Sequence, residues 1–459
     1  MTLNPYIFRA YDIRGVADRD LTDDVVTTLG QALGTYYRKK DDRPVFLGRD
    51  NRISSPRLRE ALANGLAAAG CRVIDIGEVV TPILYFACAT SGNGNGVMIT
   101  GSHNPPEENG FKIVAGGTAI YGEEILRLKD IVENGTFTGG AGTVEHLDAV
   151  QSYLGMLRGK ICLGPRRLKV AVDCGNGTAA LFAEKILRGW GCDTIPLFCV
   201  SDGTFPNHEP DPVKTVNLTE LRRAVLEEGC DLGVGYDGDA DRLGVVDERG
   251  SVIWGDRLMI LFWREILPRY PDKPCIVEVK CSQALVDEIL RLGGRPFFWK
   301  TGHSLVKAKM WEVGAVFAGE MSGHFFFADE YYGFDDAFYA TGRLLRILSN
   351  TDRPLSALLP DAPKYYSTAE TRIPCPDEQK FAVVAQLVAH FRKTNEVVDV
   401  DGARVLFADG WGLVRASNTQ PVLVARCEAK TPEGLAAICN IMRGAISSIA
   451  SVPDFNWEF

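Results

Sequence analysis

The chain lacks the features that mark several protein classes. Its longest apolar runs, such as residues 258–263, are far shorter than the roughly 20 residues a bilayer-crossing helix needs, so no membrane association is expected. The opening MTLNPYIFRAYDIRG has no basic flank followed by an apolar stretch, and a secretory leader is not expected either. Positive charge is not in excess: 50 Lys and Arg stand against 59 Asp and Glu, giving a net charge of −9 and a pI near 5.4. That balance argues against nucleic acid as a partner, so any anionic ligand must be caught by a local cluster of Arg and Lys. Histidine is scarce, at six residues, and no cysteines fall in a CxxC pair or in the Cys/His spacing of a zinc site. Cys71, Cys88, Cys174, Cys192, Cys230 and Cys281 stand singly beside expected strands and helix ends. They read as small buried hydrophobes in a reducing, cytoplasmic setting.

What is present is a strand–helix alternation written three times. Residues 44–48 read as a buried strand ending in Arg49-Asp-Asn-Arg-Ile-Ser-Ser55, followed by a helix over 57–69 and a strand over 73–76. A further strand, 96–100, runs into Gly101-Ser-His-Asn-Pro105. The second copy has strands over 168–173, 193–198 and 231–235, with helices over 179–189 and 218–228, and it opens into Asp237-Gly-Asp-Ala-Asp-Arg242. The third has strands over 275–279, 296–299 and 315–318, with helices over 283–292 and 304–312, and it opens into Gly319-Glu-Met-Ser-Gly-His324. Such alternation predicts crossover-connected α/β units with mostly parallel pairing. Ligands of these sheets sit beyond the carboxyl ends of the strands, where all three polar loops fall, so the loops are expected to converge on a central cleft. After a Pro-containing stretch, short alternating runs near 366–373, 404–408, 412–415 and 422–426, with a helix over 432–449, predict a small α+β domain. The expected division is 1–150, 151–253, 254–364 and 365–459: three similar α/β/α domains and a C-terminal α+β domain.

Asp237, Asp239 and Asp241 alternate in a glycine-containing loop. Clustered carboxylates repel unless neutralised, and a hard divalent cation bound through oxygen does that. An EF-hand would place a carboxylate at Glu248, but Arg242 occupies the position where that loop needs Gly, and the flanks read as strands. Magnesium is the expected ion. Ser102 offers a hydroxyl at a strand end, and a nearby metal and basic side chains could activate it. Read alone it is an ordinary turn serine. Arg415-Ala-Ser-Asn-Thr-Gln-Pro421 offers a guanidinium fork, hydroxyls, an amide and loop N–H groups, a set suited to a phosphate dianion but also to a plain polar turn.

Together with Phe8-Arg-Ala-Tyr-Asp-Ile-Arg-Gly15, these four loops resemble the α-D-phosphohexomutase family, in its bacterial phosphomannomutase/phosphoglucomutase branch, along essentially the whole chain. The resemblance implies an enzyme that interconverts hexose 1-phosphate and hexose 6-phosphate through a hexose 1,6-bisphosphate. It implies a phosphoserine at Ser102, and one Mg²⁺ held by Asp237, Asp239, Asp241 and a phosphate oxygen on Ser102. Glucose 1,6-bisphosphate is implied as activator, phosphosugars as the only partners, and a monomer as the state. Catalytic roles are implied for Arg14, His103, Lys112, Arg242 and His324, with the general acid/base left open between Lys112 and His324. Substrate contacts are implied for Tyr11, Lys280, His303, Glu320, Met321, Ser322, Gly323, His324, Arg415, Ser417, Asn418 and Thr419. The rival readings are a phosphoglucosamine mutase, a serine-phosphoenzyme phosphatase and a silent sugar-phosphate binder.

Overall fold

The structure, a computed structural model, describes residues 3–92, 94–418, 420–449 and 452–459. Its contacts divide the chain into two compact units, Met1–Gly255 with Ser322–Leu359, and Asp256–Met321 with Pro360–Phe459.

The first unit holds two mixed sheets. In one, the strands Asn95–Ile99, Val45–Arg49, Arg72–Glu78 and Thr143–His146 pair in parallel in that order. Glu108–Ala115 then adds antiparallel to Asn95–Ile99, and Ile13–Val16 adds antiparallel to Glu108–Ala115. In the other, Leu232–Tyr236, Lys169–Asp173 and Asp193–Leu197 are parallel, and Leu243–Asp247 and Val252–Ile253 add antiparallel. Parallel pairing therefore holds at the centre of each sheet, as crossover connections require. Most of the antiparallel margins are hairpins, whose short connections leave no helix to signal them, while Ile13–Val16 joins Glu108–Ala115 from far earlier in the chain. One consequence bears on the site: the aspartate loop is the turn of the hairpin formed by Leu232–Tyr236 and Leu243–Asp247.

The helices follow the apolar spacing. Asp23–Arg38 buries Val25, Val26, Leu29 and Leu33 at i, i+3, i+4 intervals, with Asp23 and Asp24 at its N-terminus and Arg38 at its end. It packs with Ser55–Ala68 into a core shared with Val45, Leu47, Val97 and Ile99. Each such side chain adds about 1.5–3 kcal/mol on burial. The helix expected over 179–189 is interrupted: a 3₁₀ turn, Thr178–Leu181, is separated from Ala183–Gly189 by Phe182 at φ −129°. All twelve cysteines are unbridged. Cys174 does not stand alone, however, since its Sγ lies 3.2 Å from that of Cys199.

In the second unit, Pro274–Glu278 and Arg295–Trp299 pair in parallel beneath the helices Gln283–Arg291 and His303–Val313. Tyr366–Ser367, Thr371–Pro374, Val422–Ala429, Gly410–Ala416, Ala403–Phe407 and Val397–Val398 form an antiparallel sheet. Lys380–Phe391 and Pro432–Ser447 cover it. Arg404 is wholly buried, stacked on Phe298 and Trp411, and donates to the carbonyls of Val279 and Cys281. The sheet thus grips the loop that carries Lys280.

One titrating anchor in the first unit is testable. Asp336 caps the helix Ala337–Ser349, accepting from the backbone N–H of Tyr339 (2.9 Å) and the hydroxyls of Tyr153 (2.7 Å) and Tyr331 (2.6 Å). Burial pushes its pKa up to about 6, against the pull of those donors. Its protonated form is favoured by folding, so its contribution is full below the unfolded value of 3.8 and is lost as pH rises through about 6. The loss amounts to about 3 kcal/mol. Urea melts at pH 4 to 7 are expected to show that decline, and Asp336→Asn is expected to flatten it. An Asn variant that keeps the wild-type slope would contradict the assignment.

Candidate active site

Ser102 follows the strand Asn95–Ile99 by three residues and is buried, with φ of +51°. Its Oγ donates to Asp237 Oδ2 at 2.7 Å and lies 3.2 Å from His103 Nδ1. Gly238 is required opposite it, because a Cβ there would collide with the Ser102 carbonyl oxygen. The serine loop and the aspartate loop are therefore in van der Waals contact through their backbones.

The aspartate loop is shaped by its own first carboxylate. Asp237 Oδ1 accepts the N–H groups of Asp241 and Arg242, both at 3.0 Å, and Ala240 turns the chain at φ +57°. Oxygens of Asp237, Asp239 and Asp241 consequently lie within 4.8 Å of one another, all fully buried. Burial and the carboxylates of Asp241 and Asp239 push the Asp237 pKa well above its ordinary value. Asp239 Oδ1 and Asp241 Oδ1 have no hydrogen-bond partner among the described residues. Two orphaned anionic oxygens in a hard-oxygen donor set fit a divalent cation such as Mg²⁺.

Lys112 lies against this cluster, with its Nζ 2.6 Å from Asp239 Oδ2 and in contact with Asp241 Oδ2. Burial would lower the lysine pKa, but Asp239 and Asp241 outweigh it and raise it. Lys112 is therefore a firmly held cation. Arg14 donates to Asp12 at 2.7 Å, to the Gly101 carbonyl at 3.3 Å and to Asn104 Oδ1 at 3.1 Å, which sets its guanidinium at the serine loop. Arg242 Nε donates to His324 Nε2 at 3.0 Å. That leaves the imidazole proton on Nδ1, facing Asp335 at 3.2 Å and Asp241 at 3.6 Å. Burial, with Arg242, Arg14 and Lys112 around it, drives the His103 pKa well below the usual range, so His103 is neutral. Gly323 accepts from the Leu243 N–H at 3.0 Å, which places His324 at the base of the aspartate hairpin.

In the second unit a separate cluster forms. Lys280 Nζ lies 2.9 Å from Glu370. Against the effect of burial, Lys280 and Arg372 hold the Glu370 carboxyl down at about 2. Buried Arg415 donates through Nε to Asp401 Oδ2 at 2.8 Å, and the same oxygen accepts the Thr301 N–H at 3.0 Å. The next N–H, of Gly302, goes to Glu320 Oε1 at 2.6 Å, which brings the segment carrying buried His303 to Glu320. Glu278 receives the Thr301 hydroxyl and the N–H groups of Lys280 (3.2 Å) and Met321 (3.5 Å). Ser417 Oγ accepts from the Gln420 N–H at 3.2 Å, closing the hairpin turn that carries Asn418. Thr419 lies outside the described residues.

Ser102, His103, Lys112, Arg14, Arg242, His324 and the three aspartates are thus gathered in the first unit, with Tyr11 half-buried just ahead of Ile13–Val16. Ser322 and Gly323 belong to that unit. Lys280, His303, Glu320, Met321, Arg415, Ser417 and Asn418 belong to the second. Glu248, the EF-hand candidate, instead binds the N–H (3.0 Å) and hydroxyl of Ser356. Sequence reasoning missed Asp12, Asp335, Glu278, Glu370 and Asp401, and also Thr81, whose hydroxyl donates to Asp239 Oδ2. Only Glu278 carried a usable signal, a charge closing an otherwise apolar strand.

Comparison with known proteins matches this arrangement along the chain. Phosphoglucomutase/phosphomannomutase α/β/α domains I, II and III match residues 5–139, 145–250 and 254–366, and the C-terminal domain matches 370–445. A phosphomannomutase/phosphoglucomutase of Pseudomonas aeruginosa is 44% identical over 452 residues, covering 98% of this chain and 97% of its own. A phosphoglucomutase of Neisseria meningitidis is 44% identical over 447 residues, covering 96% and 97%. The crystal structure of a phosphoglucomutase/phosphomannomutase family protein from Burkholderia thailandensis superimposes with a TM-score of 0.91 at 42% identity, covering 100% of both chains. On the sequence, the fold and these relatives, the chain belongs to the phosphoglucomutase/phosphomannomutase family.

Proposed function

We propose that the chain interconverts hexose 1-phosphates and 6-phosphates, of mannose, glucose or both, through phospho-Ser102 and a hexose 1,6-bisphosphate. The observation that carries this reading is Ser102 itself, a buried hydroxyl bonded to one of three converging carboxylates and ringed by Lys112, Arg14 and Arg242. Asp237, Asp239 and Asp241 would hold one Mg²⁺, which supplies charge stabilisation to a transferring phosphoryl group when bound. In the forward half-reaction the P–O bond to Ser102 breaks as a bond to the free sugar hydroxyl forms. Ser102 Oγ leaves beside Asp237 and His103 and ends protonated, since the proton given up by the sugar hydroxyl is the one it takes; His324 can relay that proton through Nε2 once the Arg242 guanidinium turns from it to the transferring phosphate. Lys112, fixed as a cation, neutralises charge and does not abstract a proton. The bisphosphate then turns over and returns its other phosphate to Ser102.

Recognition falls to a further set of residues in this reading. Arg415, Ser417, Asn418 and Thr419 take the phosphate that is not reacting. Glu320, Ser322 and His303 take sugar hydroxyls, and Lys280, Met321 and Tyr11 complete the contacts. Glucose 1,6-bisphosphate would activate the enzyme by charging Ser102. We place the four domains at 1–150, 151–253, 254–364 and 365–459, and the enzyme in the cytoplasm as a monomer acting on phosphosugars. Among the described residues no helix is long and apolar enough to cross a membrane.

Peptide mass spectrometry of the protein as isolated is expected to find phosphate on Ser102, and Ser102→Ala is expected to lose turnover by roughly a thousandfold. Phosphate on a different residue would overturn the mechanism. Release of inorganic phosphate without isomerisation would assign a phosphatase.

Arg415 separates the two further. Truncating one partner of a desolvated charge-assisted pair costs about 2–5 kcal/mol, or tens to thousands in affinity. Arg415→Ala is expected to raise KM by that factor for the 1-phosphate and the 6-phosphate alike, and to release more bisphosphate per turnover. Normal KM values for both substrates would place the phosphate contact elsewhere.

A further inference from the structure

The loop Arg49-Asp-Asn-Arg-Ile-Ser-Ser55 has no part in the chemistry above, yet Asp50 and Arg52 bind the segment that carries Ser102, and Asn51 binds the segment that supports the aspartate loop. Arg52 is completely buried. A guanidinium carries five N–H donors in a fixed plane, and here five acceptors meet them. Nε donates to Asp50 Oδ2 at 3.2 Å. One terminal nitrogen donates to the carbonyls of Pro105 and Glu108, and the other to those of Ser102 at 2.9 Å and Asn104 at 2.6 Å. Four of the five acceptors are thus backbone carbonyls of the segment that carries Ser102. The guanidinium lies directly on Gly101, leaving no room for a side chain there, and its other face meets the Phe205 ring at 5.0 Å.

Its neighbours in the loop extend the same hold. Asp50 Oδ2 also accepts the Gly101 N–H at 3.2 Å, while Oδ1 takes the Arg52 N–H at 3.0 Å and the Ser55 hydroxyl. Asn51 reaches the other way. Its N–H donates to Thr178 Oγ1 at 3.0 Å, and its amide donates to the Asn176 carbonyl at 2.7 Å. The Thr178 N–H in turn donates to the Gly238 carbonyl at 3.0 Å, inside the aspartate loop. Asp50, Asn51 and Arg52 therefore link the serine loop on one side to the support of the aspartate loop on the other.

Ser102 needs such a brace. A non-glycine residue at φ +51° costs on the order of 1–3 kcal/mol and persists only where the surroundings over-determine it. We infer that Arg52 is a positioning residue for the reaction: its planar fork fixes the Ser102 backbone so that Oγ is presented to Asp237, with Asp50 orienting the fork and Asn51 tying it to the aspartate loop. The inference rests on the reading of Ser102 as the phosphate carrier. Its specificity lies in the fork, since an ammonium offers only three donors and cannot span four carbonyls in one plane.

The test is Arg52→Lys beside Arg52→Gln, each confirmed as folded by circular dichroism and assayed well below its melting temperature. Both variants are expected to keep KM for hexose 1-phosphate and 6-phosphate within about twofold. Turnover should fall about a hundredfold, the scale of an ångström-level displacement of a reacting group. In single turnover, transfer of phosphate from Ser102 to substrate should slow by the same factor. A folded Arg52→Lys protein that transfers phosphate at the wild-type rate would overturn the inference and leave Arg52 a packing residue. If both variants fail to fold, Asn51→Ala, which spares the fork, is expected to lower single-turnover transfer at least fivefold, and an unchanged rate would again overturn it. Wild-type protein that never carries phosphate on Ser102 would instead refute the functional reading on which the inference stands.

Discussion

Three carboxylates buried within 4.8 Å of one another repel, and the folded site depends on how that repulsion is met. Lys112 meets part of it through Asp239 and Asp241, and Ser102 and two backbone N–H groups meet part of it through Asp237. Each of these partners has a second connection. Lys112 sits in a strand that pairs with both Asn95–Ile99 and Ile13–Val16, the strands leading to Ser102 and carrying Arg14. The electrostatic demand of one loop therefore fixes the approach of the others, and a divalent cation on Asp239 Oδ1 and Asp241 Oδ1, the oxygens that Lys112 does not touch, would offset the remaining repulsion.

The same demand explains the division of labour among the site's bases. Lys112 cannot serve as a proton acceptor while two carboxylates hold its charge, and His103 is kept neutral by burial among cations. His324 is set differently, with Asp335 on one nitrogen and an arginine N–H on the other. Asp335 is delivered by the chain just before Asp336, whose three hydrogen bonds anchor the helix that follows. A helix cap and the carboxylate facing the His324 imidazole are thus adjacent residues.

Much of this was legible in the sequence because strand ends are conspicuous. Apolar runs that stop at Gly-Ser-His-Asn or Asp-Gly-Asp-Ala-Asp mark where an α/β sheet presents chemistry, and Ser102 and the aspartates do meet there. The antiparallel margins were not legible. Glu108–Ala115 carries Lys112 between Phe111 and Ile113, an alternation that any half-buried strand shows. The partners Asp12, Asp335, Glu370 and Asp401 were hidden for another reason. Only tertiary contact distinguishes each of them from the other acidic residues of the chain. Arg52 was hidden most completely, since arginine is ordinarily a surface residue, and nothing local predicts that its carbonyl partners lie some fifty residues away.

The most direct test of the central claim, that Lys112 balances the buried aspartates, is the melting temperature of Lys112→Met with and without Mg²⁺. Removing one partner of a buried ion pair costs about 3–5 kcal/mol, which for a unit of this size is roughly 10 °C. In chelator, the variant is expected to melt about that far below the wild type, and saturating Mg²⁺ is expected to recover most of the loss. A Lys112→Met protein as stable as the wild type in chelator would show that the three carboxylates are neutralised by something other than this lysine.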